Sequence, residues 1–114
     1  LVEGIGGVMT PLTDTETVRD LAAMFALPVA LVVPVRLGML GQGLAALDAL
    51  RARRLRVAAL VMNRIGAPHA SADEDERFLA SRADGAAASA AAVRWERGAE
   101  EGILTDGGRT RTLS

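Results

Sequence analysis

The stretch "LPVALVVPV", residues 27–35, decides the fold class of this 114-residue chain. Its unbroken run of Val, Ala and Leu between two prolines predicts a β-strand buried on both faces, because a half-exposed strand would alternate apolar and polar residues. A second run of the same character, "LRVAALVMN", occupies residues 55–63. Two such strands with a helix-length segment between them predict a parallel sheet built from βαβ units.

Amphipathic segments flank and separate the two predicted strands. The first opens with "TDTE", where Thr13 and Glu16 fit a capping box at a helix N-terminus. The predicted helices cover residues 13–26, 42–54 and 71–82. This alternation predicts an α/β fold in which helices flank a parallel sheet.

The carboxyl-terminal part of the chain does not continue this pattern. Residues 1–82 form the predicted α/β domain, whereas residues 83–114 are rich in Ala, Gly and Arg. The alanines favour a helix near residues 86–101, and the Gly-, Thr- and Arg-rich end favours disorder. We therefore expect one small domain followed by a divergent tail.

The composition argues against several classes of function. The net charge is −1, which gives no reason to expect nucleic-acid or anionic-membrane partners, and there is no cysteine for disulfides or thiolate chemistry. The longest apolar run is too short to cross a membrane and no signal peptide is visible, so we expect a cytoplasmic protein. All 13 basic residues are arginine. These residues alone therefore cannot perform chemistry that requires a lysine amine.

Ligands of parallel α/β sheets bind beyond the carboxyl ends of the strands. The loops expected there cover residues 3–12, 35–42 and 63–70. His69 is the one histidine, and with no second metal ligand in sight it is interpreted as a surface residue. The acidic run "DEDE", residues 73–76, is interpreted as a helix first turn that the helix dipole favours.

Each of these loops offers a candidate for chemistry that also has a purely structural interpretation. Glu3, which precedes a glycine-rich loop, could ligate Mg²⁺ beside bound phosphates or could be a solvated acid at a tight turn. Asn63 could read a base edge with its amide or cap its own turn. The segment "GMLGQG", residues 38–43, could bind an anion at a helix N-terminus or serve as a flexible turn.

Taken in order, these stretches resemble one known family. The opening "VEGIGGVMTPL", the segment "DLAAMFALPVALVVPVRLG" and the asparagine that closes "LRVAALVMN" closely resemble the later half of dethiobiotin synthetase. The similarity covers roughly residues 1–66. It implies part of a P-loop NTPase-like, Rossmann-like three-layer α/β domain. It also implies a ligase activity of biotin biosynthesis, in which ATP and Mg²⁺ drive closure of a cyclic urea on 7,8-diaminononanoate.

The resemblance implies a nucleotide site. Its members are Glu3, Gly4, Ile5, Gly6, Asn63 and Arg64. Glu3 matches a glutamate linked to Mg²⁺, the three residues after it match a backbone loop at the phosphates and substrate, and Asn63 with its neighbour matches the contact to adenine. ATP is then a co-substrate.

A substrate site and a homodimer are implied as well. Gly38, Met39 and Leu40 match the turn that receives the distal carboxylate of 7,8-diaminononanoate, a turn that the partner subunit contributes in the family. The match is incomplete here, because Gly41 and Gln42 stand where the family often has Asn-His.

Other elements of the family have no match in the chain. The P-loop with its lysine and Mg²⁺-binding threonine, a second lysine and an Mg²⁺-binding aspartate would all precede Leu1, and residues 83–114 do not match the loop that encloses adenine. We therefore expect a fragment that is inactive alone. Two alternatives remain open, namely a fragment of a cobyrinate-type amidoligase and a catalytically inactive interaction module.

Overall fold

The computed structural model of the chain describes residues 1–4, 6–84, 91–96, 102–106 and 109–113, with side chains described for residues 1–4 and 6–83. The helices are α1 (Val18–Phe25), α2 (Met39–Ala52) and α3 (Ala72–Asp84). The strands are β1 (Val29–Pro34), β2 (Val57–Arg64), β3 (Ala91–Glu96), β4 (Gly102–Asp106) and β5 (Arg109–Leu113). Within these segments no helix is both long enough and apolar enough to span a bilayer.

The strands form one sheet with the order β1-β2-β3-β4-β5. β1, β2 and β3 run parallel, and β4 and β5 continue the sheet as antiparallel strands. Leu31 pairs with Leu60 in the register of β1 and β2, and Pro34 pairs with Asn63. The predicted α/β class and the parallel pairing of the first two strands are therefore confirmed.

The crossover helices α2 and α3 lie on the same face of the sheet. Both connect a parallel strand to its next neighbour in the same direction, and right-handed crossovers that step one way place their helices on one face. Leu31 and Val33 of β1 point to that face and are buried, whereas Val32 points the other way and is 55% exposed. The prediction that residues 27–35 are buried on both faces is therefore wrong, because no described helix covers the second face.

The core lies between this face of the sheet and the two crossover helices. Its fully buried side chains are Met39, Leu47, Leu50, Leu60 and Leu79. α2 and α3 pack closely at Gly43, where a Cβ atom would lie 2.6 Å from Cδ2 of Leu79. Met39 and Ala72, the first residues of α2 and α3, are buried in this core.

Helix α1 begins at Val18 rather than at the predicted residue 13. Thr13 Oγ1 instead accepts hydrogen bonds from the N–H groups of Thr15 and Glu16, at 3.3 and 3.0 Å. This closes a turn ahead of the helix, so the predicted capping box at Thr13 and Glu16 is wrong.

The capping box instead lies four residues further along the segment "TDTETVRD", at Thr17 and Asp20. The N–H group and Oγ1 of Thr17 donate to Oδ2 of Asp20, at 2.8 and 2.9 Å. Asp20 also pairs with Arg53, which follows α2, at 3.0 Å. The sequence contains two possible capping boxes, Thr13 with Glu16 and Thr17 with Asp20. The ion pair of Asp20 with Arg53 favours the second.

Strands occupy part of the predicted tail. Residues 91–96 form β3, so the helix predicted near residues 86–101 is wrong for that segment. The predicted disorder is likewise wrong for β4 and β5. Val93 and Trp95 favour a strand, and pairing satisfies the backbone groups along the otherwise open edge of β2. Residues 85–90 and 97–101 lie outside the described segments, and the division of the chain at residue 82 stays a prediction.

Candidate functional site

The carboxyl ends of β1 and β2 meet at one edge of the sheet. The N–H group of Val35 donates to the main-chain oxygen of Asn63 at 2.9 Å, just beyond the pairing of Pro34 with Asn63. The loops that follow, residues 35–38 and 65–71, therefore leave the sheet side by side. Two of the three loops predicted to build the site are adjacent in the structure.

Asn63 is the last but one residue of β2 and is partly buried. Because strand residues alternate in direction, its side chain lies on the face of Val61 and Val32, away from α2 and α3. Its side-chain amide makes no hydrogen bond within the described part of the chain. Both the donor and the acceptor of this amide can therefore serve a ligand. Trp95 of β3 holds the neighbouring register position.

Arg64 lies on the opposite face and binds two acids of α3. Its Nε donates to Oε1 of Glu76 at 2.7 Å, and its guanidinium also donates to Oδ1 of Asp73. The side chains of Arg64 and Glu76 are 11% and 3% exposed. The hydrogen bond to Glu76, and then the one to Asp73, raises the pKa of Arg64. In the structure Arg64 is bound to the carboxylates of Glu76 and Asp73. Its contact with adenine stays a prediction.

His69 is tied to the same helix. Its Nε2 lies 2.9 Å from Oδ2 of Asp75, and its side chain is only 10% exposed. The interpretation of His69 as a surface residue is therefore wrong. Its Nδ1 is buried and has no partner in the described segments. Together with Arg64, this contact holds the loop of residues 65–71 against the first turns of α3.

The sequence interpretation of the acidic run missed these contacts. Residues 73–76 are interpreted there only as a helix first turn that the dipole favours, and Asp73, Glu74 and Asp75 do lie in the first turn of α3. Glu76 lies on the buried face of the helix. One signal could have revealed this position. Glu76 shares helical spacing with Ala72, Leu79 and Ala83, which are all buried, so an acid stands within an apolar stripe.

The start of α2 lies at the carboxyl end of β1. Gly38 precedes the helix with a φ of 88°, which glycine adopts readily. The N–H group of Met39 donates to the carbonyl oxygen of Arg36 at 3.0 Å, and the Met39 side chain is fully buried. Leu40 is partly buried. A ligand at this turn would therefore meet main-chain groups of residues 38–40 rather than the Met39 side chain.

The amino-terminal segment holds the candidate residue Glu3. Residues 1–4 form no strand, and the role of Glu3 in a site stays a prediction. Glu3 itself is exposed. Ile5 lies outside the described residues.

Two glycines of this segment have local packing reasons. A Cβ atom at Gly4 would lie 2.8 Å from Cγ1 of Val18. Gly6 has a φ of 80°, and a Cβ atom there would lie 2.7 Å from Oγ1 of Thr10. The structural interpretation of these glycines therefore needs no ligand, and their contact with phosphates stays a prediction.

The glycine-rich loop is hydrogen-bonded to α1, and Val8 also packs against the core. The N–H groups of Arg19 and Val18 donate to the carbonyl oxygens of Val8 and Thr10, at 2.8 and 3.0 Å. The Arg19 side chain in turn donates to the carbonyl oxygen of Ala49, near the carboxyl-terminal end of α2. These contacts do not tie Glu3 to the edge at Asn63, so a shared site for the two residues stays a prediction.

The residues present fit Mg²⁺ only in a limited role. In the described segments no three His, Cys, Asp or Glu side chains gather to hold a metal ion. The ion ordinarily combines one or two carboxylates with water and substrate phosphates. The exposed carboxylate of Glu3 fits that smaller share of a coordination shell, and an all-protein cage does not fit.

The fold and this edge define an α/β domain of βαβ units with its candidate site beyond the carboxyl ends of parallel strands. A family model described as an AAA domain matches residues 1–98, and the chain belongs to that family. The ATP-dependent dethiobiotin synthetase BioD of Caulobacter sp. (strain K31) is 47% identical over 87 residues, which make up 75% of this chain. The match spans 37% of the length of that relative. The resemblance to dethiobiotin synthetase, a P-loop ATPase, is confirmed.

Proposed function

We propose that the chain supplies the adenine-binding and substrate-binding part of an ATP-dependent dethiobiotin synthetase. The observation that carries this proposal is the side-chain amide of Asn63 at the carboxyl edge of the sheet, which makes no hydrogen bond to the part of the chain whose side chains the structure describes. Such edges are where α/β domains bind ligands. The 47% identity to a dethiobiotin synthetase supports the choice of reaction.

Asn63 recognises the base of ATP in this proposal. An amide presents a donor and an acceptor side by side, and adenine presents the complementary pair on its edge. Arg64, which the resemblance also assigned to adenine, acts here through its neighbour because its guanidinium already binds α3.

Glu3 is the proposed carboxylate for Mg²⁺, and residues 4–6 are the proposed backbone loop at the phosphates. When bound, the ion supplies charge neutralisation at the transferring phosphoryl group. Glu3 contributes one negative oxygen ligand from an exposed segment. Without the ion, the same carboxylate repels the triphosphate.

Gly38, Met39 and Leu40 are proposed to bind the distal carboxylate of 7,8-diaminononanoate. Gly38 is the N-cap of a 14-residue helix, and Met39 and Leu40 are its first two residues. The Met39 N–H group already donates to the carbonyl oxygen of Arg36, so an anion would use the other main-chain N–H groups at this helix start, where the dipole favours it. The proposal includes a homodimer, in which this turn of one subunit binds the substrate carboxylate in the site of the other. It also includes a cytoplasmic location.

The isolated 114 residues are proposed to form no dethiobiotin and to bind ATP weakly. They contain no lysine, and a P-loop holds phosphates with backbone N–H groups plus one lysine. Calorimetry with ATP and Mg²⁺ should give a dissociation constant well above micromolar. Micromolar binding, or turnover above that of a Glu3→Ala variant, would contradict this part.

A chimera tests the proposed reaction. The aligned segment of the Caulobacter enzyme is replaced by the matching segment of this chain, and dethiobiotin formation is measured from diaminononanoate, bicarbonate and ATP. The chimera should be active. Asn63→Ala should raise KM for ATP about tenfold, since each lost hydrogen bond is worth about 1 kcal/mol. Asp48→Asn, an exposed site on α2, is the matched control.

The same chimera separates the metal role from the base role. Glu3→Gln should lower turnover about tenfold or more across a magnesium titration, the scale on which supporting carboxylates act. A folded chimera without activity would contradict the proposed reaction. Unchanged kinetics in Glu3→Gln would contradict the proposed role of Glu3 as an Mg²⁺ ligand and leave it only a structural role in the turn.

A further inference from the structure

The ion pair between Arg64 and Glu76 is placed unusually for a stabilising contact. It joins the last residue of β2 to the buried face of α3, and both side chains are nearly excluded from water. Removing two charges from water is unfavourable, and apolar side chains of similar volume often serve stability as well or better. The geometry of the pair therefore suggests a role other than stability.

That geometry constrains Asn63 from both sides. Its main-chain oxygen accepts the 2.9 Å hydrogen bond from Val35, which holds it to β1. Arg64, the next residue, is held on the α3 face by Glu76 and Asp73. Consecutive strand residues point to opposite faces, so fixing Arg64 on one face fixes Asn63 on the other.

We propose that Arg64, through its ion pairs with Glu76 and Asp73, is a positioning residue. It holds Asn63 so that the Asn63 amide faces an adenine base from the opposite side of the sheet. The role rests on the proposed function of Asn63. Pairing with Pro34 and with Trp95 holds the main chain of Asn63 in the sheet. A base-reading amide also requires a fixed direction for both of its hydrogen bonds, and the neighbouring side chain of Arg64 is held on the opposite face. The contact of His69 with Asp75 holds the following loop in the same way.

The test separates positioning from stability with one double variant of the full chain. Arg64→Met with Glu76→Leu replaces the ion pair by an apolar pair of similar volume, and the fold should be retained. Asn63 is the only asparagine and Gln42 the only glutamine, so each gives one assignable side-chain amide in a ¹⁵N spectrum. AMP and GMP are the probes, because they test base reading without a triphosphate cradle.

In the ligand-free double variant, the Asn63 amide signals should shift or broaden while those of Gln42 stay in place. The dissociation constant for AMP should rise about tenfold, as expected when a pair of hydrogen bonds loses its geometry, and the preference for AMP over GMP should fall. Adding Asn63→Ala to the double variant should bring no further loss, because both changes remove the same contact.

A folded double variant with unchanged Asn63 signals and unchanged AMP affinity would overturn the proposal. If the double variant does not fold, Glu76→Gln is used instead, because it keeps the side-chain shape and weakens the ion pair with Arg64. Unchanged Asn63 signals in Glu76→Gln would also overturn the proposal. Failure of the proposed function looks different. In that case Asn63→Ala leaves AMP binding of the wild-type chain unaltered, while the ligand-free Asn63 signals still report positioning.

Discussion

The main-chain N–H group of Val35 donates a 2.9 Å hydrogen bond to the main-chain oxygen of Asn63. This contact joins the ends of β1 and β2 and sets the loops of residues 35–38 and 65–71 side by side. The start of α2 and the Asn63 amide consequently belong to one edge of the sheet. The proposed base contact and the proposed carboxylate contact both depend on this junction.

The buried ion pair makes a strong prediction for stability. Arg64→Met alone removes the 2.7 Å ion pair of Arg64 with Glu76, which is 3% exposed, so the unfolding free energy should fall, by up to about 3–5 kcal/mol. The double variant with Glu76→Leu should recover most of that loss. Urea denaturation measures both. Asp73→Asn is the control, since Asp73 is 70% exposed and should cost less than about 1 kcal/mol. Equal losses in the single and double variants would contradict the prediction.

Asp20 should make the stability of the chain depend on pH. The hydrogen bonds from Thr17, main chain first and then side chain, lower the pKa of Asp20, and Arg53 and Arg19 act in the same direction. A lowered pKa in the folded state gives stability that is present above the unfolded value near pH 4 and is lost as pH falls below it.

Asp20→Asn should therefore lower the melting temperature at neutral pH and remove part of the acid-induced loss. Thermal denaturation between about pH 2.5 and 7 brackets the ordinary aspartate pKa and measures both effects. Asp14→Asn, an exposed aspartate of the preceding loop, is the control. An acid profile of Asp20→Asn that coincides with the wild-type profile would refute the role of this carboxylate.

Two glycines of α2 form a matched pair for packing. Gly43→Ala places a Cβ atom 2.6 Å from Cδ2 of Leu79, whereas Gly41→Ala meets nothing within 4 Å. Alanine favours a helix by up to about 1 kcal/mol over glycine, and overpacking costs about 1–3 kcal/mol. Gly41→Ala should stabilise the chain and Gly43→Ala should destabilise it. The same sign for both would show that α2 and α3 are not in close contact at this point.

The uncovered face of the sheet should promote self-association. Val32 is 55% exposed in the middle of an apolar strand, and β1 is an edge strand of the described sheet. Open edges and apolar faces both recruit further copies. Light scattering of the purified chain should show species larger than a monomer, and Val32→Thr should reduce them. A monodisperse monomer at high concentration would count against this prediction.

The sequence was most informative where one physical effect dominates. Unbroken apolar runs predicted β1 and β2 and their parallel pairing, because a strand in a parallel sheet has no polar face to show. The helices α2 and α3 followed from their position between strands and from their amphipathic spacing. Asn63 at the end of β2 followed from the same pattern.

Tertiary contacts decided the remaining features. The choice between Thr13 and Thr17 as capping residue depends on Arg53, which is distant in sequence from both. The strand at residues 91–96 depends on the open edge of β2, and local propensity alone favoured a helix for its alanines. The ion pair of Arg64 with Glu76 depends on which face α3 turns toward the sheet, and the interpretation of residues 73–76 as a dipole-favoured first turn did not include that face.

A titration of the ¹⁵N-labelled wild-type chain with AMP and with GMP tests the proposed adenine site most directly. The side-chain amide signals of Asn63 should move progressively with AMP, and much less with GMP, while those of Gln42 stay in place. Asn63→Ala should abolish the preference between the two nucleotides. Asn63 signals that do not move with AMP, or that move equally with both nucleotides, would contradict an adenine-reading role for this edge of the sheet.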